Sequence, residues 1–255
     1  MELWTLLPVG IVIATIASML GIGGGIVWVP YLILVMDLAP KDAILLSFGI
    51  QIIGMGSAAI KYVAQRRVLW RLIFGLILFI FAGVFAGAYL SQRVADGNFL
   101  KLGIGVFSMF IAIFFAFQAE RYHVQLEKDT KIKAPFWLCV SSVGMGGISG
   151  ALSIGIGDIL IPIMRGKLKV PMQNAVGTAL LLNFVVAFSG GVSHLFFAEN
   201  VGINLWHAFG YSAIGVAFGG QIGGFLSSRL DESRLKEMFI FLLMLIGIHM
   251  IYQAL

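Results

Sequence analysis

A glycine-rich interruption occurs twice in this chain, and it limits the possible architectures more than any other feature. Leu20-Gly21-Ile22-Gly23-Gly24-Gly25-Ile26-Val27-Trp28-Val29-Pro30 returns 132 residues later as Leu152-Ser153-Ile154-Gly155-Ile156-Gly157-Asp158-Ile159-Leu160-Ile161-Pro162. Each copy sits inside an apolar stretch whose only charged member is Asp158. Glycines weaken a helix and let the backbone bend. In lipid, bent backbone survives only where protein encloses it or where it lines a cavity. Two matched breaks are therefore expected to mark the binding site of a transporter.

The surroundings require a membrane. The chain is 60% hydrophobic and 11% charged over 255 residues, whereas a soluble domain carries about a quarter charged residues. Runs at 43–60, 72–90, 100–117, 175–193, 206–226 and 238–254 hold at most one charged residue each. Each approaches the roughly 20 residues that cross a bilayer as a helix. The expected fold is an all-α polytopic membrane protein. A net charge of +5 is assigned to basic cytoplasmic loops, so no nucleic-acid partner is expected. The start, Met1-Glu2-Leu3-Trp4, has no basic n-region, and no cleaved signal peptide is expected. Cys139, the single cysteine, excludes an intrachain disulfide.

The duplication extends beyond the breaks. At the same spacing Ala43 matches Ala175, Gln51 matches Asn183 and Ser57 matches Ser189; after a longer loop, at a spacing of 136, Trp70 matches Trp206, Gly83 matches Gly219 and Gly87 matches Gly223. Ser91-Gln92-Arg93 likewise matches Ser227-Ser228-Arg229. Three segments follow: a first transmembrane repeat at 1–117, a cytoplasmic connecting loop at 118–135 and a second repeat at 136–255. Lysine and arginine concentrate in cytoplasmic loops. If each broken segment dips in and returns, or crosses twice, loops 61–71, 118–133, 165–173 and 227–236 share one face and hold 14 of the 17 basic residues. If each broken segment crosses once, the split is 8 against 9. The first topology predicts an odd number of crossings per half, an inverted second repeat, and both termini on the extracytoplasmic side of the cell membrane. Each repeat then comprises a glycine-broken short-helix hairpin and three spanning helices.

Opposed breaks near the midplane would suit an anion. A helix starting at Gly25 or Gly157 aims unpaired N–H groups and its positive dipole end into the break. Gly21, Gly23, Gly24, Gly25, Gly155 and Gly157 leave the backbone open to a ligand's oxygens. Ser47 and Gln51, four apart on one helix face, and Thr178 and Asn183 in the other half could bond the ligand or the freed backbone. Gly83/Gly87 and Gly219/Gly223 instead fit close helix packing. Asp158 replaces Ile26 of the first copy. An intramembrane acid is a functional candidate, here for proton coupling, protonated when substrate is bound. Its alternative role is an N-cap for the backbone at Gly157. His194, His207 and His249 show no metal-ligand spacing, and neither metal nor cofactor is expected. Trp4, Trp70 and Trp206 fall where interfacial anchors sit.

With these motifs in view, the chain resembles the sulfite exporter TauE/SafE family of membrane transporters. The residues that carry the likeness are Gly21-Ile22-Gly23-Gly24-Gly25 with Pro30, Asp42-Ala43 before Ser47, Gly155-Ile156-Gly157 with Pro162, and Asn174-Ala175-Val176-Gly177-Thr178. The resemblance implies a secondary carrier for small sulfur-containing or organic anions, with Gly21, Gly23–Gly25, Gly155 and Gly157 in the central site; a homodimer is compatible with it. The second motif departs from the family pattern at Ile156, where a glycine is usual, and at Asp158, where an apolar residue is usual. Two other functions compete. An anion channel would use the same helix-terminus site without alternating access. An intramembrane serine protease would use Gly147-Ile148-Ser149-Gly150 with His194 or His249 as base.

Overall fold

The computed structural model of the chain describes residues 3–117, 132–198, 203–226 and 232–255. A 3₁₀ turn at Leu3–Thr5 leads into α1 (Leu6–Leu20), followed by α2 (Gly25–Leu34), α3 (Pro40–Ala64), α4 (Trp70–Tyr89) and α5 (Gly97–Phe117). A π-helical turn at Leu90–Val94 extends α4. The second half is α6 (Phe136–Leu152), α7 (Gly157–Gly166), α8 (Met172–Phe197), α9 (Ile203–Leu226) and α10 (Glu232–Ala254). No strand occurs among the described residues, and the protein is an all-α polytopic membrane protein. Among the described residues five stretches have the length and hydropathy to cross a bilayer: Leu3–Leu20, Pro40–Ala64, Trp70–Arg93, Gly97–Phe114 and Met172–Phe197. Most of the expected connecting loop, 118–131, and the matched Ser227-Ser228-Arg229 lie outside the described residues.

Element boundaries repeat with the sequence. Gly25–Leu34 and Gly157–Gly166 are 132 residues apart at both ends. So are the left-handed residues that close α1 and α6, Gly21 (φ 73°) and Ser153 (φ 57°), and those in the following loops, Asp37 (φ 54°) and Lys169 (φ 52°). Even a loop hydrogen bond recurs: Leu38 N–H donates to Leu32 O, and Val170 N–H to Met164 O.

Packing is exchanged between the halves. Gly83 and Gly87 of α4 lie against the α6 backbone at Val143 and Gly147, while Gly219 and Gly223 of α9 lie against the α1 backbone at Ile11 and Thr15. A Cβ at any of these four would overlap backbone. Thr15 also places its hydroxyl 3.3 Å from the Gly219 carbonyl. These are small-residue seams, the way helices approach closely where hydrophobicity alone cannot drive them together. Matched glycines therefore clasp the opposite half's first helix.

The same contacts give helix directions. Phe48 meets Gly190 and Gly56 meets Phe184, so α3 and α8 are antiparallel; Gly105 meets Ile251 and Gly247 meets Met109, so α5 and α10 are too. In contrast α3 runs parallel to α9, with Gly49 at Phe209 and Gly54 at Val216. Leu7 to Thr15 of α1 ascend beside Gly215 to Gly223 of α9, and Gly83 to Gly87 of α4 beside Val143 to Gly147 of α6. In the α1–α2 and α6–α7 hairpins the first arm thus runs parallel to the helix of the other half that clasps it. Their arms are unequal. The 15 residues of α1 and 17 of α6 extend over 20 Å, against about 15 Å for the ten-residue return helices. The first arm of each hairpin is thus longer than its return.

Trp4, Trp70 and Trp206 are about half exposed (57%, 47% and 58%). Each is at or near a helix start, the position of a ring anchored at a membrane boundary.

Candidate functional site at the crossing of two glycine breaks

The left-handed cap ends α1 abruptly: Gly21 and Ile22 N–H both turn back to Ala17 O. The ladder resumes only when Val27 and Trp28 N–H reach Gly24 O. In the second half Asp158 N–H turns back to Gly155 O, and Ile159 and Leu160 N–H both reach Ile156 O. Pro30 and Pro162 lie inside the short helices, where a missing N–H also frees the carbonyl four residues before. Both tips are completely buried, so each freed group needs a protein partner.

The two tips cross and touch. Gly23 and Gly155 meet backbone to backbone, and a Cβ on either would overlap the other's main chain. A Cβ at Gly25 would overlap Ser153 O, and one at Gly157 would crowd Gly21 O. Gly24 is different. A Cβ there would be 3.4 Å from Trp28 and 3.5 Å from Met55, ordinary contact. It borders a cavity of about 10 Å³ also lined by Ala14, Gln51 and Val216, at the lower limit of what one water needs.

Side chains from both halves ring this crossing. Gln51 of α3 places its amide nitrogen 2.9 Å from Ser153 Oγ, 3.2 Å from Ser153 O and 3.2 Å from Ser47 Oγ. Ser153 Oγ also donates to Ser47 Oγ at 3.2 Å. Asn183, its counterpart on α8, accepts from Gly157 N–H at 2.9 Å and turns its nitrogen toward Gly21 O at 3.5 Å. Gln51 therefore serves the opposite break, while Asn183 bridges both. Asp158 is fully buried (0%). One of its oxygens accepts from Gly23 N–H across the crossing at 2.8 Å. The N-cap role considered for it is filled by Asn183; Asp158 leaves its own helix and bonds the other tip.

The structure thus gathers Gly21, Gly23, Gly25, Gly155, Gly157, Ser47, Gln51, Asn183 and Asp158, with Gly24 at the edge. It does not bring Thr178 there. That hydroxyl donates to Asn174 O at 2.7 Å and accepts from Leu69 N–H at 3.0 Å, tying the α3–α4 connection to the start of α8. Ser153 is a member that sequence reasoning passed over, although its alignment with Gly21 could have shown it.

A second polar feature lies beyond the tips. Lys41, Asp42, Gln92, Arg93 and Phe197 line a pocket of about 510 Å³. Lys41 Nζ donates to Gln92 O at 2.7 Å. Gln92 Nε2 is 2.9 Å from His194 Nδ1, whose Nε2 is 2.7 Å from Gly150 O. The carbonyl can only accept, so Nε2 carries a proton. Both ring nitrogens of His194 are therefore engaged away from the Ser149 hydroxyl. The π turn aims Gln92 at His194, and such turns gather at functional sites. No cluster of three or more potential metal ligands occurs among the described residues.

Comparison with known proteins agrees with this architecture. The family model described as sulfite exporter TauE/SafE matches residues 6–250. The chain is 26% identical to the probable membrane transporter protein YunE of Bacillus subtilis, over 98% of this chain and 97% of the relative. It is 25% identical to a probable membrane transporter protein of Methanocaldococcus jannaschii, over 96% and 94% of the two chains. A probable membrane transporter protein of Haemophilus influenzae is 24% identical over 96% of each. No solved structure matches the chain.

Proposed function

The chain belongs to the sulfite exporter TauE/SafE family of membrane transporters, and from that premise we propose that it is a secondary transporter, an exporter, of a small anion such as sulfite, thiosulfate or a sulfonate. The substrate binds at the crossing of the two tips and is exposed to each side in turn. One observation carries the proposal: two glycine tips, one from each half, touch at Gly23 and Gly155 inside a ring of buried polar side chains. The start of a short helix faces each tip, so backbone N–H groups and two positive dipole ends converge where no bulky cation stands.

Inversion of the two repeats is part of this reading, and the antiparallel pairs α3/α8 and α5/α10 support it. Closed backbone contact at the crossing corresponds to an occluded conformation. Opening requires the α1–α2 or the α6–α7 hairpin to withdraw, and the glycine seams with α9 and α4 are the surfaces on which each would slide. The basic-residue distribution supports extracytoplasmic termini in the cell membrane. In that orientation the Lys41–Arg93 pocket is the outer mouth, and its two cations attract anions toward it.

Purified protein reconstituted in liposomes should take up radiolabelled sulfite, thiosulfate or a sulfonate with saturation and with acceleration by anion on the opposite side. A channel would instead pass unsaturable current without counter-transport, and that result would replace the carrier reading. Absence of flux for every anion of the panel would reject both.

A further inference from the structure

We infer that the Asp158 carboxylate is a tethered stand-in for the substrate, occupying the place that one of the anion's oxygens takes at the Gly23 N–H, so that anion and carboxylate exclude one another. The inference rests on the anion site proposed above and adds how its occupancy is regulated.

Four observations carry it. First, Asp158 reaches out of its own half to bond the first tip, donor and acceptor being 135 residues apart in sequence. A residue needed only to cap its helix would stay on it. Second, the other carboxylate oxygen is buried without a hydrogen-bond partner. A buried carboxylate oxygen left unsatisfied is costly, and it is the atom on which a proton from water would settle. Third, the tips touch and the cavity beside Gly24 and Gln51 is only about 10 Å³, while the Gly23 N–H is already taken by the carboxylate, so a ligand oxygen and the carboxylate oxygen cannot hold that donor together. Fourth, the matched position in the first half is Ile26, which has no charge to offer Gly155. The device exists once, so the pocket carries one tethered charge and one vacancy of charge to exchange.

The electrostatic surroundings are simple. Ionisable side chains are absent from 6–27 (α1, the first tip and the start of α2), from 43–60 of α3, from 140–157 (α6 and the second tip) and from 174–193 of α8. On α7 the next ionisable group is Arg165, about 10 Å further along the helix; on α8 it is His194, eleven residues past Asn183. Asp158 is thus the titratable group that faces the crossing from these elements. Two states then carry equal charge there: ionised Asp158 at Gly23 N–H, or protonated Asp158 swung aside with a monovalent anion in its place. Exchange between them takes up one proton with each anion bound; the charge at the crossing remains at minus one for a monovalent anion and becomes minus two for a dianion such as thiosulfate.

Sulfite and thiosulfate binding to the full-length protein in lipid nanodiscs, by calorimetry between pH 5.5 and pH 8, tests this. The wild type should bind more tightly as pH falls. D158A, which removes the tether, should bind at least tenfold more tightly than wild type at pH 8, and its affinity for thiosulfate should no longer vary with pH. D158N, nearly the same shape, provides the second variant should D158A fail to fold, and should likewise lose the pH dependence. Thiosulfate is the cleaner probe, because its own charge is constant over this range. Saturable wild-type binding with unchanged affinity and unchanged pH slope in D158A or D158N would overturn the inference and leave the anion site standing. No saturable binding by wild type or variants would overturn both.

Discussion

The two glycine tips share one backbone path and fill it with different chemistry. In the first, the left-handed residue is Gly21, and a side chain there would press on Ile161 and Val176 at about 3 Å. In the second, the same φ is held by Ser153 (57°), an uncommon conformation for a residue with a Cβ. Its hydroxyl bonds to Ser47 and Gln51 compensate for it. Sterics impose glycine on one side, whereas hydrogen bonding permits serine on the other. The helix starts differ as well: Ile26 keeps α2 apolar, while Asp158 projects from α7 to the first tip. The two tips therefore keep one geometry and differ in their polar groups.

The largest effect that would break this comparison is at the point of contact. Gly23→Ala or Gly155→Ala should each abolish anion flux and monodisperse behaviour in detergent, because the obstructing atoms are backbone of the other tip. Gly24→Ala should retain both, since its Cβ has room. Equal damage from all three would mean that the tips do not cross as described. Next in size is the swap of left-handed residues. Gly21→Ser should destabilise by about 2–3 kcal/mol through strain and overlap, against about 1 kcal/mol for Ser153→Gly through a lost hydrogen bond. The ranking is readable as a difference in denaturant unfolding midpoint in lipid. The amide pair comes third. Gln51→Leu and Asn183→Leu should each cost about 1–3 kcal/mol by leaving buried backbone groups unpaired, and both should raise the half-saturating anion concentration. The smallest change is expected from Thr178→Val, about 1 kcal/mol, with flux per folded molecule preserved because this hydroxyl serves Leu69 rather than the crossing.

Much of this was readable from residue order. The apolar runs, the shortage of charge and the 132-residue spacing are properties of the chain itself. Lipid enforces them locally, since each spanning helix must satisfy its own backbone whatever its neighbours do. Gly83/Gly87 and Gly219/Gly223 read as packing glycines because four-residue spacing puts both on one helix face, and they pack as such. Ser47, Gln51 and Asn183 were identifiable as buried polar groups, but not the identity of their partners.

Those partners depend on which half faces which. Gln51 reaching Ser153, Asn183 reaching Gly21, and Asp158 crossing to Gly23 join residues over 100 positions apart, and no local rule ranks one such pairing above another. Thr178 shows the same limit, for it shares a helix with Asn183 yet turns to another loop. Helix formation and membrane insertion are short-range consequences of composition and spacing. The exchange of polar groups between tips arises only once two bent backbones have been brought into contact and each must find hydrogen bonds in the other.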